Sequence, residues 1–239
     1  MRRLWPQPSA ELDGEQLLAA YPRADRLLLR ANMITSLDGA ATLEGRSGAL
    51  GSPADQDLMK RLRMQADVVL VGAGTIRVEG YGATLLDAEA QAWRTAHGLT
   101  PHPRFAVVTR SGDVPAKFFT DPPARPIVIT YASAPHDYPG DAEVIDCGDS
   151  SVDPAVMVAE LAARGLTQIL CEGGPHLLGG LVAADLVDEL CLTVSPTLAG
   201  PGSVRIVAGP PSPPRRLTPT HVLTDGTHLY LRHTHPTTP

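Results

Sequence analysis

Lysine is almost missing from this 239-residue sequence: Lys60 and Lys117 are its only two, and arginine carries nearly all of the positive charge. Lysine and arginine number 20 against 26 aspartates and glutamates, a formal net charge of −6, and no basic stripe offsets it. A nucleic-acid groove needs the opposite balance, so that partner is excluded. Cysteine is scarce as well. Cys147, Cys171 and Cys191 are far apart, odd in number and free of any C-x-x-C pair. That excludes a zinc framework or a disulfide scaffold and fits a reducing cytoplasm. No apolar run approaches the roughly 20 residues of a membrane span, and Met1–Leu18 has prolines and acids where a signal peptide needs an apolar core. No membrane partner is expected. Trp5, Trp93 and the eight histidines show no ligand-like spacing, so no metal is assigned.

Glycine and proline, by contrast, are plentiful and punctuate short apolar runs. Residues 1–26 read as an arm or packing tail, and 27–239 as one domain. Leu27–Ile34 is a first strand, followed by the loop Thr35–Gly39. Ser52-Pro53-Ala54-Asp55 opens a helix with a Ser cap, Pro at the first position and an early acid, and Leu58, Leu62 and Gln65/Ala66 continue it at helical spacing. Asp67–Val71 is continuous enough for an interior strand covered on both faces. Further strands are expected at Arg104–Thr109, Pro126–Tyr131, Ala142–Asp146, Gln168–Cys171 and Glu189–Val194, with helices at Asp153–Arg164 and Pro175–Ala183. Thr220–Leu223 and Thr227–Arg232 read as a closing hairpin turning at Asp225-Gly226. Strands alternating with helices predict an α/β fold: a mostly parallel central sheet flanked by helices, with an antiparallel C-terminal hairpin. The Pro-rich joints Pro115–Pro126 and Pro210–Pro219 read as surface loops.

Three strand ends could carry chemistry. The first is Leu170-Cys171-Glu172-Gly173-Gly174-Pro175-His176-Leu177-Leu178: a strand ending on a carboxylate, two glycines, then a helix starting at proline. Two glycines let backbone approach a ligand, and the free N–H groups of a helix start attract phosphate. An ordinary strand–turn–helix joint explains the same residues, and both readings stand on this segment alone. The second is Val71-Gly72-Ala73-Gly74-Thr75. The dinucleotide fingerprint G-x-G-x-x-G fails because Arg77 holds the third glycine's place, which leaves a phosphate-suited turn. The third is Val107-Val108-Thr109-Arg110-Ser111-Gly112, whose guanidinium could grip a 2′-phosphate and so favour NADPH, or simply be a solvated loop arginine. Ligands of open α/β sheets collect at this carboxyl edge, and three such ends together suggest an extended, multiply charged nucleotide.

Ser36-Leu37-Asp38-Gly39, Leu62-Arg63-Met64-Gln65-Ala66-Asp67, Val71–Thr75, Glu172–Pro175 and Val187-Asp188-Glu189-Leu190 occur in this order. With that set the chain resembles the riboflavin-biosynthesis pyrimidine reductases, the reductase half of a bifunctional deaminase–reductase, from about Leu29 onward. No H-x-E with P-C-x-x-C is present, so only reduction is implied. The resemblance implies a dihydrofolate-reductase-like fold, a homodimer, and NADPH held by Ile34, Gly74, Thr75, Glu79, Thr109, Arg110, Ser111, Gly173, Gly174, Pro175, His176, Leu177, Leu178 and Gly179. It implies that Ser47, Arg63 and Glu172 face the substrate, with Arg63 suited to a ribose 5-phosphate. Hydride would pass to C1′ of the opened ribosylamino group of 5-amino-6-(5-phosphoribosylamino)uracil. A carboxyl group among Glu172, Glu79 and Asp38 would supply or relay the proton.

The substrate side departs from the family pattern. Its usual Asp-Asp-Pro is Glu79-Gly80-Tyr81 here, the aromatic two residues after Ser47 is Ala49, and no downstream arginine is recognisable in Ala83–Ala88. A pteridine, such as dihydrofolate, is therefore an alternative substrate, with Asp55 as the acid on the first helix that would meet it. Asp55 also suits the helix dipole, and Asp38 suits an Asx turn before Gly39. A third alternative is a nucleotide-binding protein without catalysis.

Overall fold

The computed structural model describes residues 1–236. Ten strands form one sheet in the order β1-β9-β10-β8-β2-β7-β3-β4-β5-β6. The parallel part is built from β2 (Leu28–Thr35), β3 (Val68–Gly72), β4 (Arg104–Val108), β5 (Ile127–Thr130), β6 (Glu143–Asp146), β7 (Gln168–Cys171) and β8 (Glu189–Val194). The hairpin β9 (Thr218–Thr224) and β10 (Leu229–Thr234) joins antiparallel to β8. The α/β class and the antiparallel hairpin are as expected.

The continuous apolar run of β3 follows from its place in this sheet. Val69 and Val71 pack into one core with Leu58 and Leu62 of α2 (Pro53–Gln65) and Ile76 of α3 (Ala73–Glu79). Val68 and Leu70 pack into a second core with Met157 and Leu161 of α5 (Pro154–Ala163) and Leu181 of α6 (Pro175–Ala183). Alternate side chains of one strand thus enter opposite cores, and all four are fully buried.

Residues 1–26 hold a strand and a helix that the sequence did not signal. β1 (Arg2–Trp5) pairs antiparallel with β9, and α1 (Gly14–Ala19) starts with an Asp13–Gln16 capping box and buries Leu17 and Leu18. The prolines hid this segment, whose strand partner lies at the far end of the chain. A helix α4 (Ala88–Ala96), capped by Asp87, stands where none was expected. Strand β8 is flanked by β10 and β2, so its backbone is already paired within the sheet. In the first Pro-rich joint, Phe118 is fully buried within a short 3-10 turn.

Candidate active site

β3 and β7 are parallel neighbours, so their carboxyl ends bring two glycine turns together. Gly72 N–H donates to Gly173 C=O at 2.8 Å. A Cβ on Gly174 would stand 2.8 Å from Thr75 Oγ1, and one on Gly72 would stand 3.6 Å from Gly174 N. At Gly174 a Cβ has no room unless Thr75 moves. Gly173 also has φ +88° and lies against Met33 of β2, whose Sδ and Cε would be 3.3 Å from its Cβ. α6 begins at Pro175 with no side chain capping its first turn, so N–H groups there are open to an anion. Two abutting turns, the second too tight for a Cβ, with an open helix start, fit the pyrophosphate of a dinucleotide.

β4 ends beside β3. Thr109 is buried and its Oγ1 accepts from Gly112 N–H at 3.1 Å, shaping the loop. Arg110 is exposed and has no protein partner among the described residues, which leaves its guanidinium available. Arg77 pins α3 to the same loop by donating to Asp113 C=O at 2.6 Å. Of the cofactor residues expected from sequence, Ile34, Gly74, Thr75, Thr109, Arg110, Ser111 and Gly173–Leu177 are at or beside the carboxyl edge of the sheet. Leu178 is instead buried, and Gly179 lies against the backbone of Ala208.

The acidic residues form separate small constellations. Glu172 follows β7, and its carboxylate is 2 % exposed. Arg63, in the last turn of α2, donates from Nε to Glu172 Oε1 and from Nη2 to Oε2, both at 2.7 Å. Tyr81 donates its hydroxyl to Oε2 at 2.9 Å, and its ring centroid is 5.4 Å from the Arg63 guanidinium. Burial, then the neighbouring carboxylate, pushes the Tyr81 hydroxyl well above 10, so it remains a donor. Arg63 therefore does not offer a free fork to a phosphate; Glu172 occupies it. Glu79 Oε1 accepts from Ser47 N–H at 2.7 Å and Ser47 Oγ at 2.8 Å, which ties the 43–50 loop to α3.

Asp38 behaves as a loop tie. It accepts from Ser36 Oγ, from Ala199 N–H at 3.1 Å and from Gly200 N–H at 2.8 Å. Those bonds, Ser36 first, hold its carboxyl down at about 2, where it is a poor proton donor. Asp55, in the first turn of α2, accepts from Thr193 Oγ1 at 2.7 Å near the end of β8. Burial raises its pKa above the usual aspartate value, against the Thr193 bond. Thr193 is also the register partner of Ile34, which places Asp55 beside the cofactor edge.

Sequence reasoning missed Tyr81 and Arg94. Arg94 of α4 is 1 % exposed and donates to the C=O groups of Met64 and Ala66 at 2.9 and 2.6 Å. It thereby satisfies the end of α2 that carries Arg63. Tyr81 left no periodic signal, since it lies outside any helix or strand. The one local clue is Gly80, whose left-handed conformation (φ +74°) ends α3 and turns the chain.

Residues 28–231 match the family described as the RibD C-terminal domain. A 2,5-diamino-6-ribosylamino-4(3H)-pyrimidinone 5′-phosphate reductase from Archaeoglobus fulgidus is 30 % identical over 176 residues, 71 % of this chain and 80 % of that protein. The riboflavin biosynthesis protein RibD of Escherichia coli is 25 % identical over 198 residues, but this chain spans only 54 % of its length. A pyrimidine reductase-like protein from Corynebacterium diphtheriae superposes with a TM-score of 0.73 at 27 % identity, covering 87 % of this chain and 91 % of that one. The matched region takes in the abutting glycine turns and the Arg63–Glu172–Tyr81 constellation, and the chain belongs to the RibD C-terminal domain family of riboflavin-biosynthesis reductases.

Proposed function

We propose that this protein uses NADPH to reduce a ribosylamino-pyrimidine 5′-phosphate, 5-amino-6-(5-phosphoribosylamino)uracil, to its ribitylamino product. The observation that carries this is the position of Glu172. It immediately precedes the Gly173–Gly174 turn, so one strand end supplies both the cofactor cradle and an acid for the substrate. Gly72, Gly173, Gly174 and the first turn of α6 would hold the pyrophosphate, and Arg110 the 2′-phosphate. NADPH, when bound, supplies the hydride. The remaining work falls to the chain. Opening the ribose ring requires a proton on its ring oxygen, and the C=N unit so formed accepts hydride at C1′. Glu172 and the Tyr81 hydroxyl together could move that proton.

Loss of NADPH absorbance on adding the pyrimidine, with the ribityl product identified by mass, is the expected result; the 2,5-diamino pyrimidinone is run beside it. Intact cofactor binding without turnover of either compound would sink the reading. A cytoplasmic homodimer belongs to the same proposal: the three cysteines are buried and unpaired, as suits a reducing compartment, and sedimentation would read the subunit number.

A second reading is favoured by the Asp55–Thr193 pair. A half-buried carboxyl with a raised pKa, held at one oxygen, can meet the N–C–N edge of a pteridine through the other. If dihydrofolate is the substrate, Asp55→Asn is expected to slow its reduction by about 10²-fold or more. Wild-type speed in that variant would rule the pteridine out.

A further inference from the structure

Arg63 has five N–H donors in a flat fork. The Nε and Nη2 edge, one of the two that match a phosphate, is filled by both oxygens of Glu172. Nη1 turns away to the C=O of Leu85 at 3.4 Å. Tyr81 grips both partners, its ring against the guanidinium and its hydroxyl on Glu172 Oε2. Tyr81 is itself fixed: Lys117 Nζ donates to Gly80 C=O at 3.0 Å, and the Tyr81 ring packs 6.0 Å from Phe105. The arrangement is closed and close to neutral, since one guanidinium faces one carboxylate.

We propose that Glu172 and Tyr81 together mask Arg63, and that this mask sets how tightly the site takes the phosphate arm of its substrate. A phosphate oxygen reaches this edge of Arg63 only by displacing a Glu172 oxygen. The displaced carboxylate keeps the Tyr81 hydroxyl as its partner and stays beside the cofactor turn. Tyr81 thus acts as a positioning residue through Glu172, and substrate binding and release of the carboxylate become one event. This rests on the pyrimidine reading, in which the substrate carries a phosphate.

Calorimetric titration of the full chain with ribose 5-phosphate at low salt tests it without any turnover. Glu172→Gln removes the competing carboxylate at nearly constant volume and leaves the pocket with net positive charge. It is expected to bind the probe at least about tenfold tighter than wild type, equivalent to about 1.4 kcal/mol. Tyr81→Phe keeps the ring but removes the hydroxyl that holds the displaced carboxylate, and should weaken binding by about threefold. The double variant Arg63→Gln/Glu172→Gln should return to wild-type affinity or weaker. The proposal is overturned if Glu172→Gln binds no tighter, or if its gain survives the loss of Arg63. Failure of the wild type to reduce the pyrimidine would sink the proposed function while leaving the binding result to stand or fall alone.

Discussion

Glu172→Gln is expected to lower kcat for the pyrimidine about 10²-fold or more, with the affinity for NADPH changed by no more than about twofold. The separation follows from where the side chain stands. The cofactor turn is held by backbone: Gly72 N–H on Gly173 C=O, and Gly174 seated against Thr75. None of those contacts uses the Glu172 carboxylate. The amide keeps the volume of the acid and one acceptor oxygen for Arg63, so the fold is retained. It cannot exchange a proton at neutral pH, so the chemical step carries the loss. KM for the phosphorylated substrate should fall or hold, because Arg63 is unmasked. Glu172→Leu is the contrasting change. It leaves Arg63 buried and unpaired, and removing one partner of a buried pair costs about 3–5 kcal/mol, so that variant should lose stability as well as activity. Steady-state kinetics, NADPH fluorescence titration and urea unfolding on both variants separate these effects. A Glu172→Gln enzyme with wild-type kcat would remove Glu172 from the proton path.

The two glycine turns were legible in the sequence because their signals are local. Gly72–Thr75 and Glu172–Pro175 each spell a strand end, a tight turn and a helix start within a few residues. The chain does not announce that these turns touch, since that depends on β7 inserting between β2 and β3. The substrate side was less legible for the same reason, taken further. Glu172 meets Arg63 across 109 residues and Tyr81 across 91. Arg63 alone reads as a phosphate ligand, and Tyr81 alone reads as a departure from a family pattern. Their roles appear only when α2 and the turn after α3 converge on the end of β7. Asp38 shows the reverse case. The turn it was expected to make is closed by Ser36 Oγ, which accepts from Ala40 N–H, and its own bonds to Ala199 and Gly200 tie in a segment about 160 residues away. Apart from α4, strands and helices whose faces are covered within their own core were read to within a residue or two. The segment 1–26, whose strand pairs with β9, was not.

A large loss of stability is also expected from Glu189→Gln, outside the active site. Glu189 is 4 % exposed and lies between two arginines: Arg30 Nε donates to its Oε2 at 2.7 Å, Arg232 Nε to the same oxygen at 3.1 Å, and Arg232 Nη2 to Oε1. The outer N–H groups of those arginines reach the stretch after α1. Arg232 donates to Ala20 C=O at 3.0 Å, and Arg30 to Tyr21 and Pro22 C=O at 3.4 and 2.8 Å. One carboxylate therefore holds together two guanidinium groups that dock the N-terminal segment on the sheet. Removing its charge leaves two buried cations facing each other, and the cost should be about 3–5 kcal/mol in urea unfolding near neutral pH. The pH dependence has a definite sign. Burial pushes the Glu189 pKa up, but the Arg232 hydrogen bond and the Arg30 charge outweigh it, so the folded value is below the usual 4.5. A depressed carboxyl contributes stability above its unfolded pKa and loses it as pH falls from there through the folded value. The wild-type melting temperature should thus drop on acidification below about pH 4.5, and Glu189→Gln should show a shallower fall from a lower start. Hydrogen exchange should also rise in α1 and β1 before it rises in β3 or β7, because the tie that fails is the one holding the N-terminal segment. A variant that loses less than about 1 kcal/mol, or that opens uniformly, would show that apolar packing around Tyr21 docks this segment without the charges.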